Sequence, residues 1–566
     1  MKFFLAGLRA ARCAPLAVAL TIFFNSAAAQ APAPERAPRL PEFLKEPPRP
    51  RFVLPPVEAA PEARPLRPLR TVVTRWRITG ATAFPAAELE ALLAPYTGRP
   101  IGNDELEEAR LAITRRYVAA GYVNSGAVIP DQEIRDGVAE IRMIEGRLAD
   151  IVVGGAHRFD PDFIRERVAP GAGPPLNVNA LQERMQVLLL DPQFERINAE
   201  LAPGLRPGEA VLRLDVTEAK RNTFGVTLAN SRSPVVGGDR LEARFEWRNL
   251  LGRGDAWGLR QGLTKGLEDA TFTFSAPVTA RDTRLNFKYE RSDATVVEPP
   301  FDLIDIENRS EAWEIGLSHP LVRTVSREVA LGATLARRSN ASFLLGQPFS
   351  FTPGVADGRS AVAALRLSAD WSERSADEVL AARLTVSRGL RAFGATASDA
   401  GNPDSLFVTR LAQLQWAKRL PGELGQVVAR ADWQRSNGAL LPSEKFALGG
   451  AQTVRGYREN ALVRDHGWAG SIEYRRPIAR LPFPGADGDA GEGQLEAALF
   501  ADAGAGRDDG GAAQRLASFG FGLRWTPARG ALAQLYKGFA QRRIPQASRD
   551  LQDSGVHFLA AIQVQF

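Results

Sequence analysis

From about residue 221 to Phe566 apolar and polar residues alternate, in runs broken by Gly, Pro, Asp and Asn. In "RLNFKYER" Leu285, Phe287 and Tyr289 share one face, and Asn286, Lys288 and Glu290 the other. "LRLSADWSER" repeats this with Leu365, Leu367, Ala369 and Trp371, and "VVARADWQR" with Val427, Ala429, Ala431 and Trp433. The closing "HFLAAIQVQF" sets Phe558, Ala560, Ile562, Val564 and Phe566 on one side. A period of two means strands with one greasy face. The runs are about 9–11 residues, the length a tilted membrane-crossing strand needs. The array also far exceeds a soluble sandwich of about 100 residues. At about 21 residues per strand with its loop, it makes about 16 strands, enough to enclose water. The expectation for residues 221–566 is therefore a transmembrane antiparallel β-barrel.

Upstream the period changes to that of helices. "PAAELEALLAPYTG" puts Leu89, Leu92, Leu93 and Tyr96 on one face, opened by Pro85 and closed by Gly98. "NDELEEARLAITRRYVAAGYV" carries Leu106, Ala109, Ile113 and Tyr117 as a stripe behind an Asn103 or Asp104 cap. With the strands "RWRITGATAF", "NSGAVIP" and "GVAEIRMIEG" the order is β-α-α-β-β. The same order recurs through "LADIVVGG", "FDPDFIRERVAP", "NVNALQERMQVLLL", "INAELAPG" and "EAVLRLDVTEAK". In the last of these Leu212, Leu214 and Val216 alternate with Arg213 and Asp215. Two tandem α+β modules are expected, at residues 71–147 and 148–220. The fold class is mainly β, the two modules preceding the barrel.

The N-terminal residues add an address. Lys2, Arg9 and Arg12 precede an apolar run from Ala14 to Phe24, followed by Ala27, Ala28, Ala29 and Gln30. That run of about 11 residues is short of the about 20 a membrane helix needs, so residues 1–29 read as an export signal. The one cysteine, Cys13, lies within it, which leaves no disulfide and no cysteine metal site afterwards. Residues 30–70 are dense in proline and read as a semi-rigid spacer. Only "LPEFLKE", around residues 41–46, offers a turn or two of helix there. The formal net charge is +6, with 71 basic and 65 acidic residues. The two signs are interspersed, which argues against nucleic acid as a partner. The four histidines, His157, His319, His466 and His557, fall in unrelated segments. No nucleophile elbow, paired histidines at ligand spacing or phosphate loop accompanies them, so neither an enzyme, a metal nor a cofactor is expected. His466, in "RDHGW", is expected to be a turn residue.

Several short motifs fall in a fixed order. They are "GYVNSGAVIPDQEIRDGVAEIRMIEG", with Gly121, Tyr122, Pro130, Gln132 and Gly146; "LAPGLRPGEAVLRLDV"; "RNLLGRGD"; "LGGAQTVRGYREN"; and "LFADAG". In this order they resemble the TpsB outer-membrane transporters of two-partner secretion, the haemolysin secretion/activation proteins related to ShlB and FhaC. The resemblance runs from about residue 71 to Phe566. It implies two periplasmic POTRA domains and a barrel whose long sixth extracellular loop, around residues 446–466, folds back inside. The VRGY motif, Val454, Arg455, Gly456 and Tyr457, lies on that loop, and the Phe-x-Asp-x-Gly motif, Phe500, Asp502 and Gly504, on the wall. In the family the arginine meets the aspartate. Alternation agrees, because Glu496, Ala498, Phe500, Asp502 and Gly504 share a face opposite Leu495, Ala497 and Leu499. Asp502 then points into the lumen, where Arg455 can grip it with two parallel hydrogen bonds. In a water-filled lumen such a pair is expected to act as a positioning latch of a few kcal/mol. Some members also carry an N-terminal plug helix, for which the proline-rich stretch here is poorly suited.

The resemblance implies export of one secreted exoprotein of TpsA type by a monomer seated in outer-membrane lipid. The POTRA domains would catch the unfolded partner by adding a strand, and its folding outside would drive transport. A general diffusion porin and an outer-membrane assembly insertase are the alternatives.

Overall fold

A computed structural model describes residues 43, 52–53, 70–398, 402–481, 483, 493–545 and 549–566. The export signal and nearly all of the proline-rich stretch, with its candidate helix at residues 41–46, lie outside the described residues. Two compact units emerge, one of residues 45–219 and one built on residues 220–566.

The first unit holds both α+β modules. Strand Arg75–Thr79 runs parallel to Val138–Ile144, which pairs on its other side with Gly126–Val128. Helices Ala86–Leu93 and Asn103–Ala119 bury Leu89, Leu93, Ile113 and Tyr117 against this sheet. The expected cap at Asn103 or Asp104 is corrected: both are already helical, and Gly102 is the cap. Its N–H donates to the Glu105 carboxylate at 2.9 Å, a reach-back from the third helical position that ties down an otherwise orphaned donor.

The second module repeats the plan with strands Arg147–Gly154, Phe194–Pro203 and Glu209–Glu218 and helices Pro161–Val168 and Val178–Leu188. Leu212, Leu214 and Val216 are buried, as their alternation requires. Corresponding turns match in detail. Gly80 and Gly155 both have φ +74, and a Cβ would stand 2.4 Å from the Met143 and Val216 carbonyls respectively. Glu145 accepts from the N–H groups of Thr82 and Ala83, and Glu218 from those of His157, Arg158 and Phe159. Each carboxylate ties the end of its module's last strand to the turn after the first. Backbone at Phe52–Val53 adds a parallel strand to the edge Phe194–Pro203.

In the second unit sixteen long antiparallel strands close into a barrel. The last, Val556–Gln565, pairs with the first, Asn222–Ala229, from Thr223↔Gln565 to Ala229↔Leu559. Closure matters in a membrane, because an open edge would leave backbone groups unsatisfied in hydrocarbon. The face predicted to be greasy is exposed: Leu365, Trp371, Trp433, Ile562, Val564 and Phe566 lie on the outside. The opposite parity buries polar groups such as Glu290, Arg338, Asp432 and Gln434. One rim carries tight turns, residues 324–326 and 375–377 among them, and the other carries long connections, including residues 437–465. Short turns face the periplasm and long loops the exterior in barrels of this type. His466 corrects its expected place: it opens the strand His466–Arg480, and its Nδ1 accepts the Ser436 N–H at 3.1 Å.

Candidate functional site: a loop latched to the inner wall

Residues 437–465 join strands Gln426–Ser436 and His466–Arg480. Within them Phe446–Leu448 pairs antiparallel with Leu462–Arg464, making a hairpin. The hairpin's apolar residues, Phe446, Leu448, Val454, Tyr457 and Leu462, pack with Ala469 and Leu516 of the barrel. This burial draws the tip inward. Gly456 lies so close to the wall that a Cβ would come within 2.6 Å of Ser518 Cβ and 2.9 Å of the Ala540 nitrogen. At Gly504 a Cβ would meet the Trp468 carbonyl at 2.8 Å and Leu448 Cδ2 at 2.9 Å. Glycine at these two positions is what lets loop and wall touch.

Arg455 sits at the centre. Its Nε and Nη2 donate to the two oxygens of Asp502, each at 2.9 Å, and its backbone N–H donates to the same carboxylate at 2.9 Å. Nη1 bonds Glu473, and Nη2 also reaches the Ser471 hydroxyl at 3.0 Å. The guanidinium carbon stands 3.6 Å from the Phe500 ring centroid and 5.1 Å from that of Tyr536. Tyr536 donates its hydroxyl to Glu473 at 2.8 Å. All seven residues singled out from sequence therefore meet at one place: Val454, Arg455, Gly456 and Tyr457 on the loop, and Phe500, Asp502 and Gly504 on or beside the strand Gln494–Arg507.

The expectation of a water-filled setting needs correction. Arg455 is 6 % exposed, Asp502 3 % and Glu473 5 %. Loop and wall together exclude solvent, so removing one partner strands a buried charge, which typically costs about 3–5 kcal/mol. Glu473 and Tyr536 were not found from sequence. Glu473 has lumen parity in "SIEYRR", alternating with Ile472 and Tyr474, but only the register that pairs Ser471 with Asp502 and Glu473 with Phe500 brings it beside the latch.

Further ionic anchors hold the same loop. Arg458 grips Asp553 with Nε and Nη2, both at 2.7 Å, and meets Glu298 with Nη1 at 3.0 and 3.2 Å. Glu444 accepts from Arg366 at 2.8 and 3.0 Å, with Arg338 at 3.8 Å. The partners of Arg458 come from other extracellular loops, whereas those of Glu444 come from the wall strands Arg359–Arg374 and Arg327–Leu344. At the opposite rim the "RNLLGRGD" turn closes on Asp255, which is fully buried and accepts the N–H groups of Leu250 and Leu251 at 3.0 and 2.8 Å.

The family described as haemolysin secretion/activation protein ShlB/FhaC/HecB matches residues 208–525, and the ShlB-type POTRA domain matches residues 71–146. The outer membrane transporter CdiB of Escherichia coli O6:K15:H31 is 27% identical over 430 residues, spanning 73% of this chain and 70% of that protein. The heme/hemopexin transporter protein HuxB of Haemophilus influenzae is 23% identical over 404 residues, 69% of each chain. Among solved structures, CdiB from Escherichia coli superposes with a TM-score of 0.66 at 22% identity, covering 90% of this chain and 92% of that one. BamA from Haemophilus ducreyi lacking POTRA domains 1–3 does so at 0.52 and 14%, covering 87% and 100%. Both likenesses are of fold.

Proposed function

This chain belongs to the haemolysin secretion/activation protein family, and from that premise we propose that the Arg455 latch sets the resting state of a protein-export conduit. The protein is an outer-membrane transporter for a secreted partner protein, its barrel in the membrane and its POTRA region in the periplasm. Residues 71–147 and 148–220 are the receiving modules and residues 221–566 the conduit. An extended chain is recognised by adding a strand to a sheet edge, where backbone hydrogen bonds give affinity without demanding a sequence. The strand at Phe52–Val53 already lies on the edge Phe194–Pro203, so an incoming chain takes that place or another edge, such as Gly126–Val128. The conduit is taken to work as a monomer, and its closed sheet offers no strand edge for pairing with a second copy. It is a transporter and carries out no chemistry on its cargo.

The observation that carries this reading is the buried, bidentate Arg455–Asp502 contact. A loop held this firmly inside a barrel obstructs passage, so export requires it to shift. Arg455→Ala and Asp502→Ala are expected to abolish secretion of the partner while a heat-modifiable barrel still accumulates in the outer membrane. Export at normal levels by both variants would refute the role of the latch. A porin, by contrast, would lose no conductance on deletion of residues 71–220.

A further inference from the structure

Around the barrel, basic residues on the outer face gather at the loop-bearing rim of six consecutive strands. Arg388, Arg410, Arg435, Arg507 and Arg515 lie on five of them, and His466 on the sixth. Register gives their side: Arg410 pairs with Arg435 and flanks the inward-facing Thr409, Gln434 and Ser436, all buried. Arg388, Arg410, Arg435 and Arg515 are exposed and Arg507 is half-buried. Each stands at the top of its strand's greasy face. Below Arg388 come Val386 and Leu384, and below Arg435 comes Trp433, paired with Trp468 of the next strand. Paired, exposed tryptophans mark the level where hydrocarbon gives way to headgroups.

None of the five arginines has an ion-pair or hydrogen-bond partner among the described residues. Elsewhere on this face some cations are matched, as Arg291 is by Asp293 and Arg309 by Glu307. Asp508, next in the chain after Arg507, is taken by Lys445 and Arg464. Arg410 and Arg435 are moreover directly opposed across neighbouring strands. Like charges so placed repel, and an anion between them removes the repulsion. Guanidinium forks match phosphate oxygens in pairs.

We propose that this arc is a docking site for the phosphate groups of a lipid in the outer leaflet, held by Arg388, Arg410 and Arg435 and flanked by Arg507 and Arg515. The site goes beyond the export reading and stands without it. Bound lipid fixes the depth of the strands on either side of residues 437–465, which join the two tryptophan-bearing strands.

The test uses the full-length protein in phosphatidylcholine nanodiscs doped with bis-phosphorylated lipid A, and measures lipid A retained per barrel after washing. A surface cation contributes roughly fivefold to such binding, so R388Q/R410Q/R435Q should retain lipid A at least about tenfold more weakly. R291Q/R309Q, which removes cations that already have partners, should match the unaltered protein. Dephosphorylated lipid A should be retained no better by the unaltered protein than by the triple variant. Heat-modifiability confirms that each variant is a folded barrel, and partner secretion is read separately. Equal retention by the triple variant, equal retention of the dephosphorylated lipid, or displacement by millimolar inorganic phosphate would overturn the proposal.

Discussion

Arg455 does what a lysine cannot. Its planar fork meets both oxygens of Asp502 while Nη1 reaches Glu473, and its face lies on Phe500. An ammonium is a point charge that offers neither the parallel bonds nor the stacking. Arg455→Lys is therefore expected to lower secretion of the partner at least about tenfold, corresponding to roughly 1.5–3 kcal/mol for a charged hydrogen bond lost. Glu473→Gln should be milder, because Asp502 still receives the fork and the amide oxygen still accepts from Nη1. Secretion by Arg455→Lys equal to that of the unaltered protein would show that charge alone suffices. Asp502 could be read from sequence because alternation within one strand fixes its side. Glu473, Arg458 and Glu444 could not be assigned partners that way. Their contacts depend on which strands adjoin and in what register, and on how a loop returns to the wall, matters set by tertiary closure.

At the scale of elements, the sequence showed both modules and the barrel through their periods, and it missed what ties elements together. The cap lies at Gly102, one or two residues before the expected Asn103 or Asp104, because a glycine cap leaves no side-chain signature, only Glu105 three positions on. Glu145 and Glu218 were likewise invisible as staples, since each lies at a strand end about sixty residues from the turn it closes. Burial works against the charge on Glu145, but bonds from Thr82, Tyr117 and Ala83 outweigh it and hold the carboxyl below its ordinary range. Burial opposes Glu218 too, and Arg158 with the Phe159 N–H wins there. A carboxyl with a depressed folded pKa stabilises fully above its unfolded value, about 4.3, and that stability fades as pH falls towards the folded value. Thermal unfolding of residues 45–219 should accordingly be insensitive to pH between 6 and 8 and shift down progressively below about 4.3. Glu145→Ala should cost about 2–4 kcal/mol at neutral pH and flatten part of that acid slope. An unchanged slope would mean these carboxylates are not what acid attacks.

At the scale of the barrel, the loop of residues 437–465 is fastened at points with different consequences. Glu444 ties its first stem to Arg366 on the wall, Arg455 ties its tip to Asp502 and Glu473, and Arg458 ties it to Glu298 and Asp553 in neighbouring extracellular loops. Anchors that share one hairpin are not independent. Once one lets go, the others hold a more mobile segment and lose part of their orientation, so the losses couple. Arg458 is also well placed to hold the outer mouth shut, since it bridges loops that would have to part before a chain emerged. Arg458→Ala is expected to raise ion conductance in planar bilayers, with more frequent openings, while the Arg455–Asp502 contact is loosened but kept and secretion falls less than in Arg455→Ala. Combining Arg455→Ala with Arg458→Ala should raise conductance by more than the two single effects together, because only then is the tip free of both wall and mouth. Strict additivity would show that the tip does not move as one body, and conductance unchanged by Arg458→Ala would place the obstruction at Arg455 alone.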